Sequence, residues 1–157
     1  MEKVNLWTLY TSLQGRISKR TFLLWFVLPI AVTQILAGLI DTALYGPPNS
    51  LSELGSRPWE FSQRLLALWP GVAGTVKRLH DLEINAKHVG GMYGVWTLAI
   101  TLFLFNRTGS DVVTPGLIAA MVAGILAIIY TLYLLIPCCF KSGIKGPNSY
   151  GSDPLEE

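Results

Sequence analysis

Two stretches of this chain, Phe22–Ile40 and Gly116–Phe140, contain no Asp, Glu, Lys, Arg or His. A helix needs about 20 apolar residues to cross a hydrocarbon core, so both stretches are predicted to span a membrane. Of the 157 residues, 51% are hydrophobic and only 14% charged, where a soluble domain carries about a quarter charged. Lipid is therefore the solvent this sequence is written for. The connections between apolar stretches are too short to bury a second core, so residues 1–157 are read as a single integral membrane domain.

Two weaker apolar runs complete the pattern. Leu65–Val76 is short and contains Pro70, Gly71 and Gly74, but extending it back to Trp59 gives a full span if Arg64 snorkels to the interface. The run from Val89 to Phe105 has Gly90, Gly91 and Gly94 in its first half, which permits close helix approach. The predicted spans are thus about 22–44, 59–76, 89–105 and 116–140. Pro29 is expected to bend the first of them, because it removes a backbone donor. In the last, Ala119, Ala120, Ala123, Gly124 and Ala127 form a stripe expected to face a neighbouring helix. Leu6, Leu9, Tyr10 and Leu13 recur at helical spacing before the first span, as in an amphipathic helix at the membrane surface. The predicted fold is an all-α membrane protein, a four-transmembrane-helix bundle with a short N-terminal interfacial helix.

Four spans put nine Lys and Arg residues on one side and three, Arg57, Arg64 and Arg107, on the other. The positive-inside rule makes the richer side, with both termini, cytoplasmic. The loops 46–57 and 106–115 then face outward. A net charge of +2, with its basic residues beside apolar strips, argues against nucleic acid as a partner. Cys138 and Cys139 are adjacent at the end of an apolar strip, which suits neither a disulfide framework nor a metal pair.

Three polar motifs fall on the predicted cytoplasmic side: 15–20 (Gly-Arg-Ile-Ser-Lys-Arg), 77–88, which opens Lys-Arg-Leu-His-Asp, and 146–154 (Gly-Pro-Asn-Ser-Tyr-Gly-Ser-Asp-Pro). In order and wording they resemble the small bacterial inner-membrane proteins grouped as domain-of-unknown-function family 805. The residues that carry the resemblance are Gly15, Arg16, Arg20 and Phe22, then Arg78 to Asp81, then Gly146 to Asn148, Tyr150, Gly151, Asp153 and Pro154. After Asp81 the family usually continues with Ile-Gly and Ser-Gly-Trp, whereas this chain has Leu82 to His88. The resemblance implies a multi-pass protein of the bacterial inner membrane and brings no established activity.

The candidate ligand-binding residues are Arg16, Arg20, Arg78, His80, Asp81, Asn148, Tyr150 and Asp153. Arg78 and Asp81 are three apart and share a face if the helix continues, while Arg16 and Arg78 are the natural donors to an anion and His80 titrates near neutral pH. The motifs are expected to form one site, with the 148–153 turn folded over the rest. No catalytic, metal or cofactor site is predicted: no nucleophile arrangement or phosphate loop is present, and no charged residue lies at mid-span. Gln34 and Asp41 are too few and too near the outer end to make a transport path. The sequence points to a non-enzymatic binding or organising protein acting through a polar cytoplasmic face. The alternative is a binder or enzyme acting on an anionic lipid or another phosphate-bearing ligand. Expected partners are membrane lipid and other membrane proteins or a second copy of the chain.

Overall fold

The computed structural model describes residues 5–48, 57–106 and 114–155. Most of both predicted outward loops, together with Lys3 and Arg107, lies outside the described residues. The described chain is helical, with one isolated antiparallel bridge between Asn148 and Gly151. Its helices are α1 (Leu6–Thr11), α2 (Lys19–Tyr45), α3 (Pro58–Asp81), α4 (Lys87–Asn106) and α5 (Pro115–Phe140).

Three of these helices, α2, α4 and α5, are long and apolar enough to cross a membrane. The sequence reading counted α3 as a fourth. Its 24 residues would reach roughly 36 Å at 1.5 Å per residue, so length is not what sets it apart. Glu60, Arg64, Lys77, Arg78 and Asp81 make it much more polar than the others.

Helix α2 begins on Ser18, whose hydroxyl accepts the Thr21 N–H, an ordinary N-cap. Between Leu23 and Val27 it widens into a π turn. Pro29 follows at once and lacks the N–H that would bond the Trp25 carbonyl four residues back. That carbonyl takes the Tyr10 hydroxyl instead, at 2.8 Å, so α1 satisfies the acceptor that proline leaves open. The bulge also aims Phe26 inward, where it is 1% exposed. Its ring lies over Gly74 of α3 so closely that a Cβ there would sit 2.4 Å from Cδ1.

No side chain of its own caps the start of α3. Asp41 near the end of α2 does so instead, accepting the N–H groups of Trp59 at 3.3 Å and Glu60 at 2.9 Å. This carboxylate, fully buried, meets the positive end of the α3 dipole and two donors that a helix start leaves unpaired. Asp41 is therefore a structural cap between two helices. Further along the same pair, the Gln63 side-chain amide donates to the Thr33 hydroxyl at 2.9 Å.

Helices α2 and α3 form one hairpin, and α4 and α5 form another. The hairpins meet chiefly at one end, where Lys19–Phe22 and α3 reach α5. Away from that end, the buried residues of α4 and α5 are small, Ala99, Ala120, Ala123 and Ala127, whereas Val89, Met92, Leu134 and Cys138 fill the end where the hairpins meet. The Trp96 indole donates to the Thr131 hydroxyl at 3.0 Å. The small-residue stripe of α5 is thus narrower than its sequence suggests. Ala119 is exposed, and a Cβ on Gly124 would meet nothing within 4 Å. The expectation that Gly124 packs on a helix is corrected, because the face turned inward is one position round, on Ala123 and Ala127.

Helix α1 does not simply lie apart on a surface. Leu9 is buried, Leu6 and Trp7 are exposed, and the Lys77 ammonium donates to the carbonyls of Thr8 and Leu9 at 2.7 and 2.8 Å. A cation on carbonyls in the last turn complements the helix dipole. The Trp69 indole adds a bond to the Thr11 carbonyl at 3.1 Å.

Candidate functional site

At the end where the hairpins meet, α3 runs on through the second motif to Asp81. Arg78 and Asp81 then lie on one face, one turn apart, and their side chains form a buried ion pair through Nη1 and Oδ2. Arg78 is 0% exposed. Its Nε donates to the Cys138 carbonyl at 2.9 Å, its Nη2 to the Lys141 carbonyl, and its Nη1 also approaches the Ile17 carbonyl at 3.5 Å. The carbonyls of Cys138 and Lys141 lie at the end of α5, where helix acceptors lack intrahelical donors and the dipole is negative. One guanidinium thus joins the end of α5 to the last turn of α3.

Arg16 approaches Asp81 from the other side. Its Nε and Nη2 donate to Oδ1 at 3.3 and 3.0 Å. Nη2 also reaches the Ile144 carbonyl at 2.6 Å, and Nη1 the carbonyls of Gly146 and Gly151 at 2.8 and 3.2 Å. A guanidinium carries five N–H donors, and all five here go to acceptors of this chain. Asp81 is the shared anion between two cations, and its main-chain carbonyl accepts the Ile144 N–H at 3.0 Å. Gly143 backs onto the carboxylate, where a Cβ would lie 2.1 Å from Oδ2.

The C-terminal motif folds over this core as a short turn. The main chains of Asn148 and Gly151 exchange two hydrogen bonds, of 3.0 and 3.2 Å. Gly146 and Gly151 have φ of +78° and +139°, conformations that favour glycine. The Asn148 carbonyl oxygen of the side chain accepts the Tyr150 N–H at 2.8 Å, and its amide donates to the His80 main-chain carbonyl at 2.9 Å. Asp153 holds the turn from within, accepting Gly146 N–H at 2.7 Å and Leu155 N–H at 3.0 Å. These two bonds, the one from Leu155 first, keep its carboxyl below the usual carboxylate range.

His80 stacks on Tyr150, ring centroids 3.9 Å apart and planes 6° from parallel. Its Nδ1 lies 3.2 Å from the Gly15 carbonyl, so the tautomer that fits carries its proton on Nδ1. Burial lowers the pKa of the ring, with the Gly15 carbonyl opposing more weakly.

Of the sequence-predicted residues, Arg16, Arg78, His80, Asp81, Asn148, Tyr150 and Asp153 come together in one network. Arg20 stands outside it, exposed on the first turn of α2. Sequence reasoning missed Gly143, Ile144 and Lys77, whose parts are played by a missing Cβ, a main chain and an ammonium on α1. Among the described residues, no buried side-chain nitrogen or oxygen lacks a partner. No group of three or more His, Cys, Asp or Glu among them is arranged to hold a metal.

The segment that departs from the expected pattern also has a visible geometry. After Asp81 the chain turns through Glu83, at φ 59°, and Ile84 N–H returns to the Leu79 carbonyl at 2.8 Å. The Asn85 side chain then accepts the Lys87 N–H at 2.9 Å and starts α4. Glu83 holds the left-handed conformation that glycine adopts without strain.

Comparison with known proteins agrees with this arrangement of motifs. The family described as "Protein of unknown function (DUF805)" matches residues 10–152. The "Uncharacterized protein YiiR" of Escherichia coli strain K12 is 28% identical over 142 residues, covering 90% of this chain and 85% of that protein. Its counterpart in Escherichia coli O157:H7 gives the same figures. No solved structure matches the chain. The family match takes in all four long helices and the whole polar network apart from Asp153, and this membrane protein belongs to the DUF805 family.

Proposed function

We propose that this protein crosses the bacterial inner membrane four times, with both termini in the cytoplasm, and acts without catalysis as a binding or organising protein through its polar cytoplasmic face. The observation that carries the reading is Arg16, whose every donor goes to an acceptor of its own chain. A guanidinium used this way fastens the N-terminal segment, α3 and the tail into one surface. A rigid polar surface suits recognition of a partner, whether another membrane protein or a second copy of the chain.

Two features support α3 as the remaining span. Both hairpins have their outer helices, α2 and α5, with an end at the polar network, and an up-down-up-down path returns α3 and α4 to that same end. Among the described residues, eight Lys and Arg residues collect toward that end too, against Arg57 and Arg64 at the other. Cysteine placed at Ser149, in a chain lacking Cys138 and Cys139, should resist a membrane-impermeant maleimide in intact cells and react after lysis. Labelling from outside would refute the orientation. For the role itself, crosslinking at native abundance is expected to capture a membrane protein or a second copy; a chain that stays alone would count against it.

A further inference from the structure

An open recess of about 180 Å³ lies beside the network, between the start of α2, residues 142–145 and the turn that ends at Leu155. That is smaller than the ~300–1,000 Å³ of sites that enclose a whole small ligand, a size for one charged group rather than for a complete molecule. Three cations line it, Lys19, Arg20 and Lys145, all exposed. The side chains of Lys19 and Arg20 make no hydrogen bond or ion pair among the described residues, and Lys145 has an electrostatic interaction with Asp153.

The two carboxylates of the recess do not cancel these charges. Asp81 is held between Arg16 and Arg78, and both oxygens of Asp153 accept main-chain N–H groups. The first turn of the 27-residue α2 opens on the same space, since Ser18, Lys19 and Arg20 are all part of its wall. The positive dipole end of a long helix adds to the attraction for an anion. The outer wall is apolar, with Pro154 and a largely exposed Leu155. Beyond Arg20, α2 continues at once into Phe22, Leu23 and Leu24. A negatively charged head with apolar matter beside it fits both walls.

We infer that this recess binds a phosphate group at the membrane surface, held by Lys19, Arg20 and Lys145. Arg16 and Arg78 are the scaffold of the site rather than its donors. The phosphate belongs either to an anionic lipid headgroup or to a soluble phosphate compound. That it faces the cytoplasm rests on the orientation proposed above, whereas the binding chemistry does not.

The test uses the full chain in a neutral detergent, following thermal unfolding by tryptophan fluorescence. Phosphatidylglycerol, phosphatidylcholine and inorganic phosphate at matched ionic strength are titrated separately. A ligand that binds the folded state raises the midpoint in proportion to the logarithm of its concentration. Phosphatidylglycerol is expected to raise it where phosphatidylcholine does not. Lys19→Gln with Lys145→Gln should weaken the apparent affinity about tenfold or more, as the loss of two charge-assisted contacts implies, while Lys3→Gln with Lys87→Gln, equal in charge, leaves it unchanged. Leu155→Asp, which places a negative charge in the recess without removing a donor, should weaken it as well.

If inorganic phosphate gives the same Lys19- and Lys145-dependent shift and the lipid adds nothing, the site stands and its ligand is soluble. No shift with either probe overturns the inference, as does an equal shift in all variants or an equal loss in the charge-matched control. Ser149 labelling from outside would reverse the orientation and leave this result untouched.

Discussion

Asp81 is the acid on which both arginines of the network converge. It is buried with two guanidiniums on its two oxygens, and removing one member of a buried charged network typically costs about 3–5 kcal/mol because the partner is left uncompensated. Asp81→Asn should lower stability by that order, measured as denaturant or thermal unfolding in detergent, with greater loss than Asp153→Asn. His80 gives a second, softer contribution. Burial lowers its pKa, so between its depressed value and the ordinary value near 6.5 the unfolded chain binds more protons than the folded one. Its share of stability is therefore complete above about pH 6.5 and lost as pH falls through the depressed value. Hydrogen-exchange protection factors in residues 144–153, referred to the intrinsic rate at each pH, should fall on acidification through that window, and His80→Gln should remove this part of the pH dependence. An identical pH profile in the variant would rule out the ring as its source.

At the level of the elements, what lipid demands was legible and what one element does for another was not. The boundaries of α2, α4 and α5 lie within a few residues of the predicted spans because an apolar run has few alternatives in a bilayer. The π turn and the Tyr10 bond that follow from Pro29 need a partner from α1, and no local pattern announces it. Asp41 reads in sequence as a stray acid at the end of an apolar run; only the arrival of Trp59 and Glu60 makes it a cap. The small-residue stripe of α5 failed in the same way, since composition gave its width and packing chose its centre. Ala127 is 0% exposed and Gly124 faces open space. Ala127→Leu should therefore destabilise the chain by about 1–3 kcal/mol, the usual cost of overpacking. Gly124→Leu should cost far less. Thermal midpoints of the two variants in one detergent decide it, and equal values would defeat the face assignment.

For the whole molecule, the convergence of three distant motifs was readable because the expected path through the membrane returns the chain to one side. Their mutual closure was not, since most acceptors of Arg16 and Arg78 are main-chain carbonyls, and a carbonyl is common to every residue. The side chains therefore named the place without showing whether its donors were open or engaged. Engagement also imposes an order in time. Arg16 is made before Arg78 and Asp81, and the carbonyls of Ile144, Gly146 and Gly151 follow all three. Until then Arg16 lacks three of its five bonds, whereas Arg78 has its acceptors once Cys138 and Lys141 are in place. A chain cut before Ile144 would lack those three acceptors, so this corner reports whether the turn over it has closed.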